Sequence, residues 1–94
     1  MIKILAETND YNYNIDKVVE ELLELAEVLV KRRLKEGTPK NPSDESIIEE
    51  IGDVKIRLEV LEILFGVDNV NKRVRDKITK YLQYYNEGKY KGRI

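Results

Sequence analysis

Apolar residues recur along this chain at spacings of three and four, and polar or Gly- and Pro-marked stretches interrupt the recurrence. Ile15, Val18, Leu22, Leu25 and Leu29 form one stripe, and Val19, Leu23, Ala26, Val30 and Leu34 form a second. The spacing predicts a helix from about Ile15 to Glu36. Asn14 or Asp16 is its N-cap and Gly37 its C′ residue. Arg32, Arg33 and Lys35 fall in the last turns, where cations suit the helix dipole. A linker follows, Thr38 to Ser43, whose two prolines stop helix propagation. A second helix is predicted from about Asp44 to Phe65, capped by Asn41 or Ser43 and closed by Gly66. Its main stripe is Ile47, Ile51, Val54, Leu58, Leu61 and Phe65, flanked by Ile56, Val60, Ile63 and Leu64. A third helix is predicted from about Asn69 to Asn86, capped by Asp68 or Asn69 and stopped near Gly88.

The expected architecture is all-α: an antiparallel helical hairpin plus a third helix, over residues 15–87, with an N-terminal arm at 1–14 and a flexible tail at 88–94. Two apolar stripes on one helix exceed what a single partner helix covers. The surplus predicts a further helix or a second copy, and hence an oligomeric bundle.

Composition narrows the chemistry. The chain has 94 residues and a formal charge of −1, which is not the basic balance of a nucleic-acid binder. Cysteine and histidine are both absent, so disulfides, thiolate nucleophiles, imidazole bases and His-ligated zinc are excluded. Any metal site is all oxygen, which favours Mg²⁺, Mn²⁺ or Ca²⁺. The N-terminal apolar run is too short for a signal peptide, and no stretch approaches a membrane span. A soluble, cytoplasmic protein without membrane partners is the expectation.

Two acidic pairs stand inside the apolar segments: Glu21 with Glu24, and Glu50 with Asp53. A spacing of three puts both members of a pair on one helix face. Two like charges about 5 Å apart repel by roughly 3 kcal/mol at an effective dielectric of 20. Four converging carboxylates therefore need cations or raised pKa values. Glu21 and Glu24 lie nearer the start of the first predicted helix, and Glu50 and Asp53 in the first half of the second. Convergence thus requires a slip of the second helix, a kink or a second copy. Gly52 disfavours the helix by about 1 kcal/mol, which points to close approach of another helix or a ligand.

Glu20-Glu21-Leu22-Leu23-Glu24-Leu25, followed after a gap by Glu49-Glu50-Ile51-Gly52-Asp53-Val54, resembles the MazG-like all-α nucleoside triphosphate pyrophosphohydrolases, marked by Glu-x-x-Glu and then Glu-x-x-Asp. Leu58 to Val67 and the lysine-rich helix around Lys77 also resemble the short, often phage-borne members. The resemblance covers roughly residues 15 to 85. It implies cleavage of a nucleoside triphosphate between its α and β phosphates, giving the monophosphate and pyrophosphate in a bacterial or phage-infected cell. It implies Mg²⁺, or Mn²⁺, held by Glu21, Glu24, Glu50 and Asp53, with one carboxylate open to orienting the attacking water instead. It implies homodimers or homotetramers. Basic residues of the third helix would bind phosphate, Lys77 first and then Lys80 or Arg73. The N-terminal arm lacks the Trp-containing segment of many relatives, which leaves Tyr11, Tyr13 and Asn14 as candidates for contacting the base. The competing expectation is a non-catalytic, oligomerising helical interaction protein whose acidic faces are only solvated.

Overall fold

The structure, a computed structural model, describes residues 1–89. Among them are four α-helices and no strand: α1 (Ile2–Thr8), α2 (Tyr11–Leu34), α3 (Asp44–Phe65) and α4 (Val67–Asn86). The chain falls into two compact units. Met1–Leu64 holds α1, α2 and nearly all of α3, and the second unit, from Phe65 onward, holds α4. The tail expected at 88–94 lies, from residue 90, outside the described residues.

The first long helix begins four residues earlier than the apolar pattern predicts. Asp10, rather than Asn14 or Asp16, is its N-cap, and its carboxylate accepts a hydrogen bond of 2.8 Å from the Tyr13 backbone N–H. Apolar periodicity cannot register this start, because Tyr11-Asn12-Tyr13-Asn14 carries no aliphatic stripe. The early start has a consequence for the acidic pairs: Glu21 and Glu24 fall at the middle of α2. The expected arm is mostly helical as well. In α1, Ala6 is buried, and the buried amide of Asn14 donates long hydrogen bonds of 3.5 Å to the carbonyls of Ala6 and Asn9. Asn14 thereby ties α1 to α2, and its side chain is withdrawn from the base-contacting role offered for it above.

α3 matches its predicted bounds. Ser43 Oγ accepts from the Ser46 backbone N–H at 3.2 Å and caps its start, and Asp44 and Glu45 occupy its first turn. Arg32, in the last turns of α2, reaches across the linker: its Nη1 donates to Asp44 Oδ1 at 2.7 Å and to the Pro42 carbonyl at 3.2 Å. Gly66 ends α3. Its φ of +96° is a left-handed conformation, and a Cβ there would stand 2.6 Å from Asn69 Nδ2, which donates to the Phe65 carbonyl. α4 therefore starts at Val67, two residues before Asn69. No described helix is long and apolar enough to cross a membrane.

The buried apolar residues are Ala6, Val18, Val54 and Val60. The rotation of the long helices departs from the stripe analysis. The sheltered face of α2 runs through Asn14, Val18, Glu21, Leu25, Val28 and Arg32. That of α3 runs through Ile47, Glu50, Val54, Arg57, Leu61 and Leu64. Both follow the alternating three-and-four spacing of a helical seam. Ile51, Leu58 and Phe65, assigned to the main stripe of α3, are exposed, as are Leu22 and Leu29 of α2. Where two apolar stripes compete, period alone does not say which one turns inward, and here both inward faces include charged residues.

Candidate metal centre

Glu21 is half-buried on the inward face of α2, and Glu24 follows one turn later, exposed. Glu50 is half-buried on the inward face of α3. One carboxylate oxygen from each of these three residues lies within 4.8 Å of the others. The convergence occurs within one chain: Glu24 stands ten residues before the end of α2 and Glu50 six residues after the start of α3, so the two lie at similar distances from the linker. Asp53 is exposed and lies outside that group of three, but its charge is felt at both Glu21 and Glu50.

The electrostatics follow from this crowding. Burial pushes the Glu21 carboxyl above the ordinary glutamate range, and the charges of Glu24 and Asp53 push it further the same way. Glu50 is raised for the same reasons, burial first, then Glu24 and Asp53. Glu24 is within reach of both carboxyls. One oxygen of Glu21 and one of Glu50, the Oε2 atoms, are buried and have no hydrogen-bond partner. A buried carboxylate oxygen without a donor is costly. These atoms fit a hard divalent cation: the donor set is all oxygen and anionic, as Mg²⁺ and Mn²⁺ require. Glu24 and Glu50 also border an open groove of about 290 Å³, shared with Glu27, Val28, Lys31 and Ser46. Lys31 is ion-paired to Glu27 at 3.0 Å.

Gly52 departs from expectation. Among the described residues, no heavy atom outside its own helix turn stands within 4 Å of where its Cβ would be, so of the two expected neighbours, a helix or a ligand, no helix of this chain makes the close approach.

The residues expected to hold phosphate lie on α4, in the second unit. Lys77 is half-buried, with its Nζ 5.3 Å from the centre of the Tyr81 ring, and Lys80 stands 5.6 Å from that of Tyr84. Arg73 is exposed. Of the candidates for base contact, Tyr11 and Tyr13 are exposed, and Lys17 Nζ lies 5.8 Å from the centre of the Tyr13 ring.

Two basic residues of the first unit were not singled out from the sequence: Lys17 on α2 and Arg57 on α3. Both are half-buried, and the Nη1 atom of Arg57 is buried with no hydrogen-bond partner. The signal that finds Arg57 is the inward seam itself, in which it follows Val54 at a spacing of three, and Lys17 lies beside the α2 seam, next to the buried Val18.

No protein-family model, no curated protein and no solved structure matches the chain.

Proposed function

We propose that this chain is a Mg²⁺-dependent nucleoside triphosphate pyrophosphohydrolase of the MazG-like kind, acting in the cytoplasm as a homodimer or homotetramer. The observation that carries the reading is the convergence of Glu21, Glu24 and Glu50 with two buried oxygens lacking any partner. α2 and α3 form an antiparallel hairpin in this reading. Supporting it, Arg32 meets Asp44 near the linker while Glu21 and Glu24 meet Glu50 farther along. Glu21, Glu24 and Glu50 hold the cation. Asp53, exposed beside them, completes the ligand set or takes the proton of the attacking water. The bound Mg²⁺ supplies charge neutralisation for the phosphate chain and lowers the pKa of a water. Water adds across the anhydride between the α and β phosphates, and the products are the monophosphate and pyrophosphate. Of the five basic residues of α4, Lys77, Lys80 and Arg73 are the ones this reading assigns to phosphate.

Leu23, Val30 and Leu34, all from the second apolar stripe of α2, are each more than half exposed. Exposed apolar surface of this kind marks an association surface, and supports the oligomer. It also favours the second reading, an oligomerising interaction protein without catalysis. The test is pyrophosphate release from a panel of dNTPs and NTPs with Mg²⁺, using wild type and Glu50→Gln. Metal-dependent release lost in the variant supports the hydrolase. No release by wild type from any nucleotide at micromolar enzyme rejects it in favour of the interaction protein.

A further inference from the structure

The inward seams of α2 and α3 change sign within one helical turn. Glu24 meets Glu50, and the next turn brings in Asp53 beside Glu21. Continuing the same pairing by four residues on each helix, about 6 Å along the axis, reaches Lys17 on α2 and Arg57 on α3. Extended from the carboxylate pairing, the register brings two half-buried cations on different helices to one level. Hydrogen bonding to Glu20 raises the Lys17 pKa, and the Arg57 charge works weakly against that rise, in keeping with the register. Lys17 keeps one exposed partner, Glu20, at 3.1 Å. Arg57 Nη1 is buried and unpartnered. A buried guanidinium nitrogen with no acceptor is an unfavourable arrangement for folding alone. An anion relieves it, and a guanidinium suits a phosphate in particular, offering paired donors in a fixed fork.

We infer that Lys17 and Arg57 form an anion site that takes one phosphate of an oligophosphate ligand whose other phosphates lie on the carboxylate-bound cation one turn away. The inference rests on the proposed metal centre for the second half of the ligand, but the anion site has its own observations. The placement also gives the ligand a direction. Its phosphate chain runs along the α2–α3 seam, from the Glu21/Glu24/Glu50 end to the Lys17/Arg57 end. Because four carboxylates stand beside the basic pair, an anion binds weakly until the cation offsets them, so cation and oligophosphate bind cooperatively.

The test is calorimetric titration of the full chain with tripolyphosphate, with and without Mn²⁺, for wild type, Arg57→Gln, Arg57→Lys, Lys17→Gln and the control Lys40→Gln. Mn²⁺ binding alone is followed separately by electron paramagnetic resonance. The expected result is tripolyphosphate binding that Mn²⁺ strengthens. Arg57→Gln and Lys17→Gln each weaken it about tenfold or more, the worth of one hydrogen bond to a charged group. Arg57→Lys weakens it less, Lys40→Gln leaves it as in wild type, and Mn²⁺ affinity is unchanged throughout. If Arg57→Gln does not fold, Arg57→Lys and Lys17→Gln carry the test. Wild-type affinity in those variants overturns the anion site. So does Mn²⁺ binding with no tripolyphosphate binding, which leaves the metal centre intact. Conversely, Arg57-dependent binding of tripolyphosphate by a protein that takes up no Mn²⁺ upholds the anion site and rejects the metal centre.

Discussion

Replacing Gly52 with alanine should stabilise this protein, although the glycine stands between Glu50 and Asp53. Gly52 lies inside α3, its φ is not positive, and an added Cβ would meet nothing within 4 Å. The methyl group therefore meets no clash, and the substitution recovers the difference between glycine and alanine in a helix interior, about 0.8–1 kcal/mol. Unfolding entropy near 2 cal/mol/K per residue turns that gain into a rise in Tm of about 4–5 °C for a chain of 94 residues. Thermal melts followed by far-ultraviolet circular dichroism, over a range of protein concentrations, measure it. A fall in Tm at every concentration would refute the reasoning, because it would mean that the added methyl group strains the chain's own packing. A fall confined to high concentration would locate an association surface at Gly52.

Two further substitutions and conditions test the packing and the electrostatics. Val60 is 0% exposed, so Val60→Ala should cost about 1.5–3 kcal/mol in urea denaturation, from two lost methyl groups and the cavity they leave; the same cut at Val30, 55% exposed, should be near neutral in the monomer, and equal losses would show Val30 to be covered. For pH, the raised Glu21 and Glu50 carboxyls mean that the folded chain holds protons more tightly than the unfolded one. Their contribution is present below the ordinary glutamate pKa and is lost as pH rises through the raised values. Without metal, wild type should lose stability relative to a Glu21→Gln/Glu50→Gln variant as pH climbs above 4.5, and Mg²⁺ should cancel that loss. A wild-type advantage that grows with pH in metal-free buffer would contradict the assignment.

The sequence carried much of this, unevenly. Gly66 and Ser43 bracket α3 because their chemistry is local: a left-handed φ on one side and a hydroxyl cap on the other. The shared face of Glu21 and Glu24 was also legible, since a spacing of three fixes it whatever the packing, but their meeting with Glu50 was not, because it depends on the register of α3 against α2. The start of α2 was not, because Asp10 caps a turn with no aliphatic stripe to announce it. The rotation of α2 and α3 was the larger loss. Leu22 and Leu58 are as apolar as Leu25 and Leu61, so hydrophobic period could not rank the two faces, and the inward position of Arg57 went unseen with it. Asn14 misled in the opposite way: its composition reads as a turn, and its amide is spent on holding α1. Gly52 has no close helix beside it among the described residues; a helix glycine marks a near helix, a ligand or nothing, and sequence alone does not separate these.

The most direct test of the metal centre is Mn²⁺ titration followed by electron paramagnetic resonance, comparing wild type with Glu24→Gln, the carboxylate that lies within reach of both Glu21 and Glu50. Cation binding at the cluster predicts saturable uptake by wild type that Mg²⁺ competes away, weakened about tenfold or more in the variant, a loss of at least about 1.4 kcal/mol. Weak, non-saturating uptake of equal strength in both proteins would show the carboxylates to be solvated charge and would contradict the metal centre.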